Sequence, residues 1–157
     1  MHSSVQPTQR ELTDSARCDE CSARLKPEGR CWDDFETLLQ LEWQIPGASG
    51  SVLHFYLVNC SVLQHPVGFN HSAEALALNR RNLADLLDGK ITLEQLRGRT
   101  RERFAGAARI TRPADAPAQP AGQVHWPITA ADVPTASTET YAERVTDWAQ
   151  SIRYLKS

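Results

Sequence analysis

Hydrophobic positions recur along the chain at helical spacing, and the breaks between them are marked by turn residues. From about Trp32 to Trp43, Phe35, Leu38, Leu39 and Leu41 place apolar side chains mostly on one face. Asp33, Asp34 and Glu36 fill the first turn, where the helix dipole favours acids. Residues 45–50, IPGASG, form a breaker loop. A second helix is expected from about Ser51 to Gln64. It is apolar nearly all round and should be the central, buried one. It ends at His65-Pro66, because the residue before a proline is pushed out of helical geometry.

A third helix covers Ser72 to Leu87, with Ser72 as N-cap and Gly89 just past the end. Thr92 can cap a fourth, Leu93 to about Phe104, which Gly98 weakens. Residues 106–136 are rich in Ala, Pro, Gly and Thr and read as a long connection with little regular structure. In a last helix, Thr138 to Leu155, the residues Tyr141, Val145, Trp148, Ile152 and Leu155 step by four and three. The expected fold is mainly α: a small bundle of four to five helices. Residues 1–15 form a mobile tail, and 16–157 a single helical domain that begins with a zinc knuckle at 16–31.

Composition narrows the class. With 41% hydrophobic and 23% charged residues, the 157-residue chain can build one core without a staple. A metal would therefore be local glue or a working part. The net charge of −2 excludes nucleic-acid binding by bulk charge alone. The charge is uneven, though. The first third is acidic, and Arg97, Arg99, Arg101, Arg103, Arg109 and Arg112 form a basic stretch that contains a single acid, Glu102. That stretch reads first as a solvated helix face, and second as a patch for an acidic or phosphate partner. The N-terminus has no apolar core that would make a secretion signal. The longest apolar stretch, Val52 to Leu63, is too short for a bilayer. A cytoplasmic location follows as an expectation, and there four cysteines serve as thiols or metal ligands rather than as disulfides.

The chemistry concentrates in the cysteines. Cys18-x-x-Cys21 has the spacing of a zinc knuckle, in which two thiolates from one turn take two corners of a tetrahedron. Cys31 stands at a helix N-terminus, which favours its thiolate. A fourth ligand must come from His54, Cys60, His65 or His71. Helices one and two share a short loop and should pack antiparallel, which returns the end of helix two, His65, to Cys31. His54 lies eleven residues away, about 16 Å along the helix, and cannot share the same metal. The expected ligand set is Cys18, Cys21, Cys31 and His65, with His54 in reserve. A redox pair at CxxC would want a thioredoxin-like βαβ context, which this pattern lacks. Cys60 reads as a small core residue. His54 reads equally as a hydrogen-bonded core histidine or as a functional group.

In their order, the Cys18–Cys21 pair, Cys31 with Phe35 to Leu39 and Glu42, His54, and Leu63-Gln64-His65-Pro66 resemble a family of uncharacterised bacterial proteins of unknown function. Trp126 to Val133 and a helix carrying Val145, Trp148, Ala149 and Ser151 extend the likeness over most of residues 18–155. At Cys60 that family tends to carry an aromatic, which supports the core reading. The resemblance implies a metal site and a shared fold, and no reaction. Two functions then compete. One is a structural zinc module that binds partners. The other is a metal-dependent enzyme with an open zinc position and with Glu42 and His54 as acid–base groups. The chain has no HExxH, GxSxG or glycine-rich phosphate loop, which ranks the enzyme second. Net acidity and the lack of a linked pair of knuckles count against a nucleic-acid adaptor.

Overall fold

The computed structural model describes residues 16–105, 111–114 and 124–155. The expected tail at 1–15 lies outside the described residues. So do 106–110 and 115–123 of the expected connection. Five α-helices make up the described fold: α1 Cys31–Trp43, α2 Val52–Gln64, α3 Ala73–Leu87, α4 Leu93–Ala105 and α5 Tyr141–Arg153. Short 3-10 turns at Ala48–Gly50 and Ala130–Asp132 complete it. The fold is mainly α, and extended pairing among the described residues is limited to two isolated bridges, Arg17 with Arg24 and His71 with Thr111.

The helix starts follow local chemistry. Ser51 Oγ accepts from the Leu53 N–H at 3.1 Å, and Ser72 Oγ accepts from the Ala75 N–H at 3.1 Å. Thr92 and Gln95 exchange hydrogen bonds in a reciprocal cap, so α4 forms through Gly98. Gly89, at φ 69°, terminates α3 where only glycine turns left-handed without strain.

The structure refines three expectations. The last helix is shorter than Thr138 to Leu155, because the apolar stripe begins at Tyr141, while Thr138 and Glu139 are exposed and bury nothing that would hold a further turn. Residues 124–133 have little regular structure beyond the 3-10 turn, but they also contribute to the core. Trp126, Ala130 and Val133 are buried in the core, and Thr129 and Asp132 cap the 3-10 turn there. Finally, α2 is buried over Tyr56, Leu57 and Asn59 to Gln64, whereas Val52 to Phe55 and Val58 are half-buried. That first half of α2 faces a groove toward α4.

The α5 stripe of Tyr141, Val145, Trp148, Ala149 and Ile152 is almost fully buried, and α5 packs on α2 and α3. Helix α1 packs on α2 and on the 3-10 turn at Ala130–Asp132. Cys60 lies fully buried in this core, and burial pushes its thiol well above the usual range, which fits an inert packing residue. Both ends of α2 therefore meet partners from distant sequence, and each end gathers polar chemistry.

Candidate metal centre

The first side of the site is a tight turn. The Ser22 N–H donates to the Cys18 carbonyl and the Cys18 N–H donates to the Ala23 carbonyl, both at 2.9 Å. Ser22 closes the turn at φ 62°, left-handed for a residue with a Cβ. This folding brings the Cys18 and Cys21 sulfurs to one side. Cys31 is the first residue of α1, and its sulfur lies 3.4 Å from that of Cys21. His65 caps the C-terminal end of α2. The antiparallel packing of α1 and α2 delivers it to the three sulfurs, as helix geometry anticipates.

Cys18, Cys21, Cys31 and His65 each offer one ligand atom, and these atoms all lie within 4.8 Å of one another. The arrangement can hold a metal ion, and two details fit one. His65 Nδ1 donates to the Ser61 carbonyl at 2.9 Å, which places a proton on Nδ1, so in the neutral ring the lone pair sits on Nε2. Nε2 is buried and has no hydrogen-bond partner among the described residues. An orphaned buried acceptor is costly, and a cation between it and the sulfurs would satisfy it. The protonation balance of the metal-free cluster is shared. Hydrogen bonds from the Cys21 and Cys31 thiols hold Cys18 far below the usual thiol range, and Cys31, as a donor to Cys18 and Cys21, is pushed up. Burial lowers the His65 imidazole, but the Cys18 and Cys21 sulfurs beside it outweigh this and lift it to about 10, so without a metal the ring carries a second proton that a bound cation would replace.

Other contacts fasten the turn to its frame. The Glu20 carboxylate accepts from the Val67 N–H at 2.8 Å and the Gly68 N–H at 3.2 Å, tying the knuckle to the turn after α2. A Cβ at Gly68 would stand 3.1 Å from Glu20 Oε2, so the carboxylate would have to shift by a few tenths of an ångström. Trp32, Phe35 and Phe69 stack with ring centroids 5.2 to 5.7 Å apart and join the first turn of α1 to the same segment. Next to His65, the Gln64 side-chain N–H donates to the Ile128 carbonyl at 2.7 Å and brings in the segment before α5.

His54 stays out of this cluster. At the far end of α2 it meets Glu42, with Nδ1 2.6 Å from Glu42 Oε1, and the Tyr141 hydroxyl donates to Glu42 Oε2 at 2.6 Å. Burial first, and the Glu42 carboxylate second, push the Tyr141 phenol well up, so it remains a donor at neutral pH. Glu42 and His54 were legible as chemistry opposite the cysteines. Tyr141 and Glu20 were not singled out. The signal for Tyr141 was its hydroxyl at the head of a buried apolar stripe, which must find a partner.

With that geometry in hand, comparison with known proteins places the chain. The sequence profile of a family described as a family of unknown function (DUF5946) matches residues 16–154. The chain belongs to this DUF5946 family. No curated protein and no solved structure matches it. For this DUF5946 member the matched span begins just before Cys18 and ends past α5. It therefore contains all four clustered residues and the Glu42, His54 and Tyr141 group. Among the described residues, no helix is long and apolar enough to cross a membrane.

Proposed function

We propose that the chain is a zinc-binding module in which Cys18, Cys21, Cys31 and His65 close a tetrahedral structural site. The observation that carries this reading is the clustering of one His65 ring nitrogen and three sulfurs within 4.8 Å of one another, with His65 Nε2 buried and unpartnered among the described residues. Three thiolates and one imidazole are a usual donor set for structural zinc, and tetrahedral zinc places its sulfurs roughly 4 Å apart, given Zn–S bonds of about 2.3 Å. The His65 Nδ1–H bond to the Ser61 carbonyl is the outer contact that orients such a ligand. Bound zinc would link the 18–21 turn, the start of α1 and the end of α2. That makes a clamp on one end of the bundle, serving a small binding or adaptor protein. Three cysteines used as ligands suit a reducing compartment such as the cytoplasm.

An open zinc position served by Glu42 and His54 is the weaker reading. Those groups sit at the other end of α2, with His54 about 16 Å along the helix from His65. Elemental analysis of the purified chain beside Cys21→Ser and His65→Ala tests the proposal. The expected result is about one zinc per chain in the wild type and loss of most of it in both variants. A wild-type chain that is free of zinc and equally stable in a chelator would reject it.

A further inference from the structure

The far end of α2 carries a second constellation that the metal clamp does not use. Glu42 is 1% exposed, with one oxygen on His54 Nδ1 and the other on the Tyr141 hydroxyl. Burying a carboxylate is costly unless its hydrogen bonds are met, and here two donors from different helices meet them. His54 itself is not buried with it, since its side chain is 43% exposed. The ring is gripped along one edge and open along the other. Its Nε2 has no hydrogen-bond partner among the described residues.

His54 is among the residues that line a groove of about 550 Å³ between the first half of α2 and α4. Phe55, Val58, Leu93 and Leu96 make its walls apolar. Arg97 and Arg101, one helical turn apart on α4, stand on the same side of it. Arg97 Nη2 donates to the Gly50 carbonyl at 2.8 Å, which holds the guanidinium near the start of α2. That start adds the positive end of a helix dipole. Among the groove residues Glu94 is the sole acid, so the charge facing the groove is net positive. The arginine stretch therefore divides. Arg99 turns to Asp85 of α3 at 3.2 Å, while Arg97 and Arg101 face the groove.

We propose that this groove binds a small organic anion with an apolar body. Arg97 and Arg101 hold the carboxylate or phosphate, and the His54 ring lies against the bound ligand, so that its Nε2 shift reports occupancy. Glu42 and Tyr141 are positioning residues that fix the imidazole edge-on to the groove. The site shares no residue with the metal cluster, so its failure would leave the zinc reading standing.

Titration of the full-length chain with benzoate and phenyl phosphate, followed by nitrogen-15 shifts of the histidine rings, tests the proposal. Inorganic phosphate serves as the head group alone. The expected result is a saturable shift at His54 Nε2 with benzoate or phenyl phosphate, and which of the two binds tighter identifies the head group. Arg97→Ala and Arg101→Ala, both at exposed positions that spare the core, should each weaken binding about tenfold. His54→Gln should weaken it while leaving the helical circular dichroism unchanged. No saturable shift with either aromatic probe would overturn the proposal. Unchanged affinity in both arginine variants, or inorganic phosphate binding as tightly as phenyl phosphate, would overturn it equally.

Discussion

Glu42 shares the face of α1 that buries Phe35 and Leu38, and an acid on such a face must find donors. It finds two, on His54 and Tyr141. Replacing Tyr141 with Phe keeps the ring in the core but leaves one buried carboxylate oxygen unpartnered. The expected loss is about 1–3 kcal/mol at pH 7, measured as a lower urea midpoint. The same variant makes a pH prediction. The folded Tyr141 phenol lies above its unfolded value, so its contribution is fully present below about pH 10 and is lost as pH rises further. Wild-type stability should therefore fall more steeply above pH 10 than that of Tyr141→Phe. Tyr56, also pushed up by burial, contributes to both curves. Equal slopes would show that the hydroxyl is not held as described. At this scale the sequence exposed Glu42 and His54, because a titratable residue breaks an apolar pattern visibly. It hid Tyr141, because 99 residues separate it from Glu42, and no local spacing encodes that contact.

Helix identity was legible where apolar period and cap chemistry agree, as at Ser72 to Gly89. It was less so where packing decides. Trp126 to Val133 reads as breaker-rich sequence, yet it folds against α1 because Trp126, Ala130 and Val133 fill the core there. The antiparallel α1–α2 pair is the element on which the site depends, and its short loop announced it. Ser51 both accepts from the Leu53 N–H and donates to the Ala48 carbonyl at 2.7 Å, joining that loop to α2. Ser51→Ala should cost about 1 kcal/mol in chemical denaturation. Metal content should be unchanged, because the cap lies at the end of α2 away from His65. A loss of metal in this variant would mean that the two ends of α2 are not independent.

The molecule is a helical core with polar chemistry at both ends of one central helix. At one end, the segment from Arg17 to Arg30 carries two of the clustered cysteines and is held by short backbone bonds, the Glu20 clamp and the sulfur cluster. On the proposed zinc reading, chelation should loosen this segment before the core. Limited trypsin digestion in the presence of a chelator should cut first at Arg24 or Arg30, both exposed, while the arginines within α3 and α5 stay protected. Cleavage spread evenly through the chain would show instead that the metal holds the whole core. The central claim is tested most directly by X-ray absorption at the zinc edge of the purified chain. The expected first shell is three sulfurs at about 2.3 Å and one nitrogen at about 2.0 Å. A shell containing oxygen or a second nitrogen, or no zinc edge at all, would contradict it.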